Sequence, residues 1–244
     1  MKTVLAYARL YGDCAAKALK GIQKSPWTLL LPMGLIGVFW LLIPPLSRLG
    51  MVGGILLGLL TDVLLSCYLY FTGEIVSNAK VTLAEVRKGL LAYFWAILNL
   101  NFVLWIAQFL LQRVLFNNPE ARFIQFVVAL AGAVLLNVYP ETIYLKGTYG
   151  GIQTIQRSVQ FIQESWIEWF IFLPNLVMPL VLIVPLVWPR YLMLVYTLPL
   201  AALVPLAVLF GALVHGVMVT RGHLYQVLDG SSHRQRMFRY RGTP

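Results

Sequence analysis

The chain has 244 residues, of which 59% are hydrophobic and 11% charged, with a formal net charge of +10 and a mean hydropathy of +0.77. Soluble domains carry roughly 25% charged residues, so this chain cannot clothe a water-facing surface and reads as an all-α integral membrane protein. The basic excess then points to an anionic membrane surface and not to nucleic acid.

The first 26 residues are amphipathic. Val4, Ala8, Tyr11, Ala15, Ala18 and Ile22 recur at helical spacing, while Arg9, Asp13, Lys17, Lys20 and Lys24 occupy other faces, which predicts an interfacial helix lying in the membrane plane. Two apolar runs follow, 27–47 and 49–72. The second holds Asp62, the one acidic residue well inside a run, on a strip of Gly50, Gly54, Gly58, Asp62 and Ser66 spaced four residues apart. Strips of small residues let helices approach closely, and a carboxylate at bilayer depth costs about 2.5–3.5 kcal/mol, so Asp62 is expected to face another helix. Asn99, Asn101 and Gln108, Asn137 and Asn175 are the polar partners on offer from other runs. Readings of Asp62 as a structural hydrogen-bonding group, as an ion- or proton-coupling group, as a ligating or catalytic group and as part of an interface all remain open at this level.

A second amphipathic stretch at 74–89, with Ile75, Ala79, Leu83, Val86 and Leu90 on one stripe, precedes runs at 90–112 and 121–139. A third, over 151–169, has Ile152, Ile155, Val159, Ile162, Trp166 and Trp169 on one side and glutamines on much of the other. It precedes runs at 170–188 and 191–214, which are rich in proline. The expected architecture is therefore six transmembrane helices in one polytopic domain, 1–230. It divides into pattern units 1–73, 74–140 and 141–215, each an in-plane helix and a helical hairpin, with a basic-aromatic tail over 231–244.

Fifteen of the nineteen lysines and arginines fall on the side that holds both termini, and only Arg48, Arg113, Arg122 and Arg190 fall opposite. The positive-inside rule then places both termini in the cytoplasm of a prokaryotic inner membrane. The tail residues Arg234, Arg236, Phe238, Arg239, Tyr240 and Arg241 are suited to anionic headgroups or to a protein partner.

Signals of enzymatic chemistry are missing from the sequence. There is no G-x-S-x-G elbow, no G-x-x-x-x-G-K-[ST] loop, and neither the cysteines Cys14 and Cys67 nor the histidines His215, His223 and His233 sit at metal-ligand spacing. The expectation is a protein with no cofactor and no metal. Cys14 and Cys67 read as packing residues and His215 as an interfacial group at a span end.

The entry "KALKGIQKSPWTLLLP" into the first span and the exit "RGHLYQVLDG", with Leu224 and Tyr225, resemble the broad group of prokaryotic membrane domains that includes the one attached to some glycerophosphodiester phosphodiesterases. The resemblance covers about residues 1–230 and implies a polytopic helical domain without transferable chemistry, because the catalytic domain is not part of it. The layout is also similar to the membrane subunit of ATP-driven exporters, with 74–89 as a coupling segment. The leading expectation is a non-enzymatic membrane subunit that assembles, anchors or stabilises a larger membrane complex, with other membrane subunits and anionic lipids as partners and docking on 74–89 or 151–169. A permease-like transporter subunit, paired with a separate ATPase, is the alternative.

Overall fold

The computed structural model describes residues 2–77, 79–116, 120–147, 150–177, 200–231 and 233–241. In chain order these form α1 (Lys2–Lys24), a 3₁₀ turn (Pro26–Leu30), α2 (Leu31–Ser47), α3 (Met51–Val76), a second 3₁₀ turn (Leu83–Glu85) and α4 (Val86–Ala92). There follow α5 (Phe94–Val114), α6 (Ala121–Leu135), α7 (Tyr139–Lys146), α8 (Gly151–Ile171), α9 (Leu200–Asp229) and α10 (His233–Arg241). Among the described residues five helical segments are long and apolar enough to cross a membrane: Pro26–Ser47, Met51–Val76, Leu83–Val114, Phe123–Lys146 and Val204–Asp229. The chain is an all-α, multi-pass membrane protein. Most of the expected span at 170–188, and the start of the one at 191–214, lie outside the described residues.

The first hairpin turns at Gly50, whose φ of 57° and ψ of −128° suit a residue without Cβ. Gly50 is thus the corner between α2 and α3 and not, as the strip suggested, a helix-packing position. Three residues later the helices come so close that a Cβ on Gly53 would lie 1.8 Å from the Leu46 carbonyl oxygen.

Two of the span-length segments are broken, each for a local reason. Between α4 and α5 the chain bends at Tyr93 (φ −122°), and Ser66 of α3 mends the break: its hydroxyl accepts from the Tyr93 amide at 2.9 Å and donates to the Gly89 carbonyl at 2.9 Å. Between α6 and α7 the cause is Pro140, which has no amide proton and is tolerated only in the first turn of the new helix.

The expected in-plane helix over 74–89 does not form as one element. Ile75 and Val76 complete α3 and are buried, and a Thr82/Glu85 capping box then starts a new helix. The extended chain between them is held by Ser25, which accepts from the Val81 amide at 3.0 Å, and by Trp27, whose indole donates to the Val81 carbonyl at 3.3 Å.

α1 and α8 do form, and each buries only part of its apolar stripe, Ala18 and Ile22 on α1 and Ile162 and Trp169 on α8, together with residues outside the stripe. α1 buries Ala6, Leu10, Cys14, Ala18 and Ile22 against α9, α10 and α3, while Ala8 and Ala15 are exposed. Small side chains on that face let α1 lie close to its neighbours, and burial pushes the Cys14 thiol up to about 11, so it packs as an inert thiol. α8 buries Gly151, Thr154, Ser158, Phe161, Ile162, Ser165, Glu168 and Trp169 and leaves Ile152 and Trp166 exposed.

Buried side chains concentrate at one end of the bundle, where α1, α7, α8, the second half of α9 and α10 meet the C-terminal half of α3 and the start of α5. Both terminal helices lie at this end, packed on each other. The opposite parts of α2, α3, α5 and α9 present apolar side chains outward, among them Leu41 (75% exposed) and Met51 (86%), as lipid-facing surface should. Gly53→Ala is expected to lower the thermal midpoint in detergent by several degrees, because its Cβ would collide with the Leu46 carbonyl. Gly54→Ala, whose new Cβ meets nothing within 4 Å, leaves it unchanged or slightly raised through helix propensity. Equal effects of the two would contradict the hairpin geometry.

Candidate functional site: the buried Arg221 centre

At the break between α6 and α7 the Leu136 carbonyl accepts from the Tyr139 amide at 3.1 Å and the Val138 carbonyl from the Thr142 amide at 3.2 Å, while the Asn137 carbonyl between them turns to a side chain. Arg221, from the middle of α9, supplies it. Its side chain is 1% exposed and forks onto Glu141 of α7, with Nε donating to Oε1 at 2.8 Å and Nη2 to Oε2 at 3.1 Å. The same Nη2 donates to the Asn137 carbonyl, and the guanidinium lies 5.1 Å from the centre of the Trp169 ring. Charge, hydrogen bonds and the ring face are all matched, which a buried guanidinium requires.

Around this pair the amides form a second set of bonds. The Trp169 indole donates to Asn137 Oδ1 at 2.9 Å, Asn137 Nδ2 donates to the Asn175 carbonyl at 3.1 Å, and Asn175 Nδ2 donates to the Trp169 carbonyl at 2.9 Å. Trp169 reaches this position because α8 kinks at Ser165 (φ −134°). Gly222, next to Arg221, presses its backbone on Tyr144 and Val76, so that a Cβ there would lie 2.6 Å from each. These contacts lock α9 against α7 and α3.

A second ionic contact ties down α10. Glu168, 4% exposed, accepts from Arg236 at 2.9 Å and meets His233 Nδ1 at 2.6 Å, while the Tyr11 hydroxyl of α1 donates to its backbone carbonyl at 2.7 Å. Arg236 also donates to the carbonyls of Leu228 (2.8 Å) and Ser231 at the end of α9, in the manner of a C-terminal cap. Arg236 is 5% exposed, so it departs from the lipid- or partner-contact role expected of it. Its neighbours Arg234 and Phe238 (84%) are exposed. The side chains of Arg239, Tyr240 and Arg241 lie outside what is described.

Asp62 is 5% exposed and accepts a hydrogen bond from Asn101 Nδ2 at 2.7 Å. Gln108 is exposed farther along α5, and Asn99, also exposed, meets Gly151 through its backbone carbonyl, 2.6 Å from where a Cβ would stand. The strip on α3 therefore divides. Asp62 and Ser66 pack within the chain, whereas Gly54 and Gly58 have nothing within 4 Å of a notional Cβ. Asn137 joins the Arg221 centre, far from the role of an Asp62 partner. His215 is fully buried and not interfacial, with its ring 5.8 Å from that of Tyr68, and neither ring nitrogen has a hydrogen-bond partner among the described residues.

The chain matches no protein-family profile, no curated protein and no solved structure. Among the described residues no group of three or more His, Cys, Asp or Glu side chains is placed to hold a metal ion. Glu141, Glu168 and Arg221 escaped the sequence reading. Each stands near the end of an apolar run, where an interfacial role accounts for a charge equally well; the available signal was Pro140–Glu141, a helix-breaking residue followed by an acid in a strongly basic chain.

Burial alone would push the Glu168 carboxyl up, but the hydrogen bonds from His233 and Arg236 outweigh it and hold the carboxyl below its ordinary value. A depressed folded value means that the stabilisation is complete above the unfolded value, about 4.3, and is lost as pH falls through the folded one. The thermal midpoint of Glu168→Gln is therefore expected to lie below that of the wild type at pH 7, and the gap to close as pH falls below about 4. A gap independent of pH would contradict the assignment.

Proposed function

We propose that this protein is a non-enzymatic multi-pass subunit that assembles, anchors or stabilises a larger complex in a prokaryotic cytoplasmic membrane, with both termini inside. The observation that supports this most is the contrast between its two ends. At the end holding the terminal helices, acids and bases are paired with one another in fixed geometry: Glu141 with Arg221, Glu168 with Arg236 and Lys146 with Asp229. At lipid depth α3 presents Gly54 and Gly58 to open space, flanked by exposed Ile55 and Val52. Open small-residue positions of this kind allow another helix to approach closely. Other membrane subunits are the partners in this reading, with anionic lipids around Arg234 and the tail, and soluble proteins docking on the exposed parts of 74–89 or 151–169. Nucleic acid has no part in it.

The second reading, a permease-like subunit served by a separate ATPase, draws on the polar groups inside the bundle, Asp62 with Asn101 and His215, whose ring nitrogens have no hydrogen-bond partner among the described residues. Ionisable residues at such depth often mark ion or substrate paths.

Affinity purification of the full-length chain in a mild detergent, followed by mass spectrometry, separates the two. On the assembly reading a membrane protein co-purifies in stoichiometric amount, Gly54→Leu with Gly58→Leu removes it without lowering the thermal midpoint, and Asp62→Asn retains it. Recovery of an ATPase, with partner binding indifferent to Gly54 and Gly58, would replace it with the transport reading.

A further inference from the structure

Beyond Leu100, α5 stands clear of the bundle. Its buried residues are Ala96, Ile97 and Leu100, on one stripe of its first half. Trp95, Leu98, Phe102, Trp105, Phe109 and Gln112 follow one another at alternating steps of three and four, the a and d positions of a heptad. At 3.6 residues per turn this second stripe lies opposite the buried one. Phe102 is 58% exposed, Trp105 60% and Phe109 44%.

The rings on this face are ordered among themselves. Phe102 stacks on Trp105 with centroids 6.2 Å apart, and Trp105 on Phe109 at 5.8 Å, both with planes 22° apart. Arg113 closes the row, its guanidinium 5.4 Å from the centre of the Phe109 ring. Side chains held in place before association lose less entropy on forming a contact.

Lipid does not answer the polar groups here. α5 closes a segment long enough to cross the membrane, Leu83–Val114. Trp105 lies about 14 Å along the helix from that end, against a half-thickness of about 15 Å for the hydrocarbon, and Gln108 about 9 Å. Tryptophans that anchor a span sit at its ends, whereas this one is at mid-depth. Gln108 and Gln112 are exposed, and among the described residues neither their amides nor the Trp105 indole makes a hydrogen bond. Acyl chains offer these donors no acceptor, and a second helix does.

A copy of the same chain matches the face by symmetry. Copies in one membrane share an orientation, so a two-fold contact between their α5 helices is parallel and brings like positions together at one depth. A carboxamide donates and accepts, so Gln112, at a d position, pairs with its own counterpart. Gln108 is at g and Arg113 at e, the positions that meet across a parallel heptad contact, so the Gln108 amide oxygen of each copy accepts from the other's Arg113.

We propose that the chain forms a parallel two-fold dimer through this face of α5, with Phe102, Trp105 and Phe109 packed across the axis and Gln108, Gln112 and Arg113 making the polar contacts. The α3 glycines take no part in it, so this dimer and the assembly reading can fail separately.

Two measurements on the full-length protein in phospholipid vesicles test it. Under a mild oxidant, Phe102→Cys and Phe109→Cys should each give a disulfide-linked dimer, while Ala107→Cys and Leu110→Cys, exposed but turned from the axis, should not. The wild type, whose Cys14 and Cys67 are buried, is the blank. Counting of single labelled particles across a range of protein-to-lipid ratios should show a dimer whose dissociation constant rises about tenfold or more in Gln108→Leu with Gln112→Leu, at roughly threefold for each interhelical hydrogen bond lost. The thermal midpoint of the monomer should stay unchanged, and Gly54→Leu with Gly58→Leu should leave the dimer intact. Monomers at every ratio, cross-linking as ready at Ala107 and Leu110 as at Phe102 and Phe109, a dimer indifferent to the glutamine substitutions, or one lost with the α3 glycines would overturn the proposal.

Discussion

A guanidinium with 1% of its side chain exposed has to be satisfied where it stands, because stripping water from such an ion costs several kcal/mol even after the protein relaxes around it. Arg221 is satisfied by elements far apart in sequence: the Glu141 carboxylate on α7, the carbonyl of Asn137 in the α6–α7 break, and the ring of Trp169 on α8. The arrangement is reciprocal. Pro140 breaks the helix, Arg221 answers the Asn137 carbonyl left at the break, and the kink at Ser165 brings Trp169 over the charge. Changing any of these three features leaves a buried polar group without its partner.

From this centre the order of one end of the molecule follows. α9 is fixed against α7 and α3, its C-terminal carbonyls are capped by Arg236, and Arg236 and Glu168 hold α10 beside α1. The opposite end obeys a different rule. There, among the described residues, the ion pairs give way to the Asp62–Asn101 hydrogen bond, and the outward faces are apolar or carry glycines. One end is specified by polar complementarity, the other by its solubility in hydrocarbon.

Hydropathy made the described spans legible in the sequence, because an apolar run of 20 residues has few other uses. The inward turn of Asp62 was legible for the same reason, since a carboxylate in lipid is expensive, and Asn101 was one of several amides within its plausible reach. The faces of α1 and α8 were harder to read. Their apolar stripes were real, but the protein-facing sides are the ones rich in Ala, Cys, Ser and Thr, where small size and not hydrophobicity sets the contact. The Glu141–Arg221 pair was not legible, as its members are 80 positions apart and each alone passes for an interfacial charge. The failure at 74–89 had a local cause that periodicity hides: a capping box can restart a helix in the middle of an unbroken apolar stripe.

The packing of α9 against α7 depends on Arg221 and Glu141 acting as a matched pair. The direct measurement is a double-mutant cycle on thermal or denaturant stability in detergent, using Glu141→Met, Arg221→Met and both together. Each single change should cost about 3–5 kcal/mol by stranding a buried charge, and the double change should cost clearly less than either. Single changes that cost little, or a double change equal to the sum of the two, would contradict the claim that this ion pair holds the bundle together.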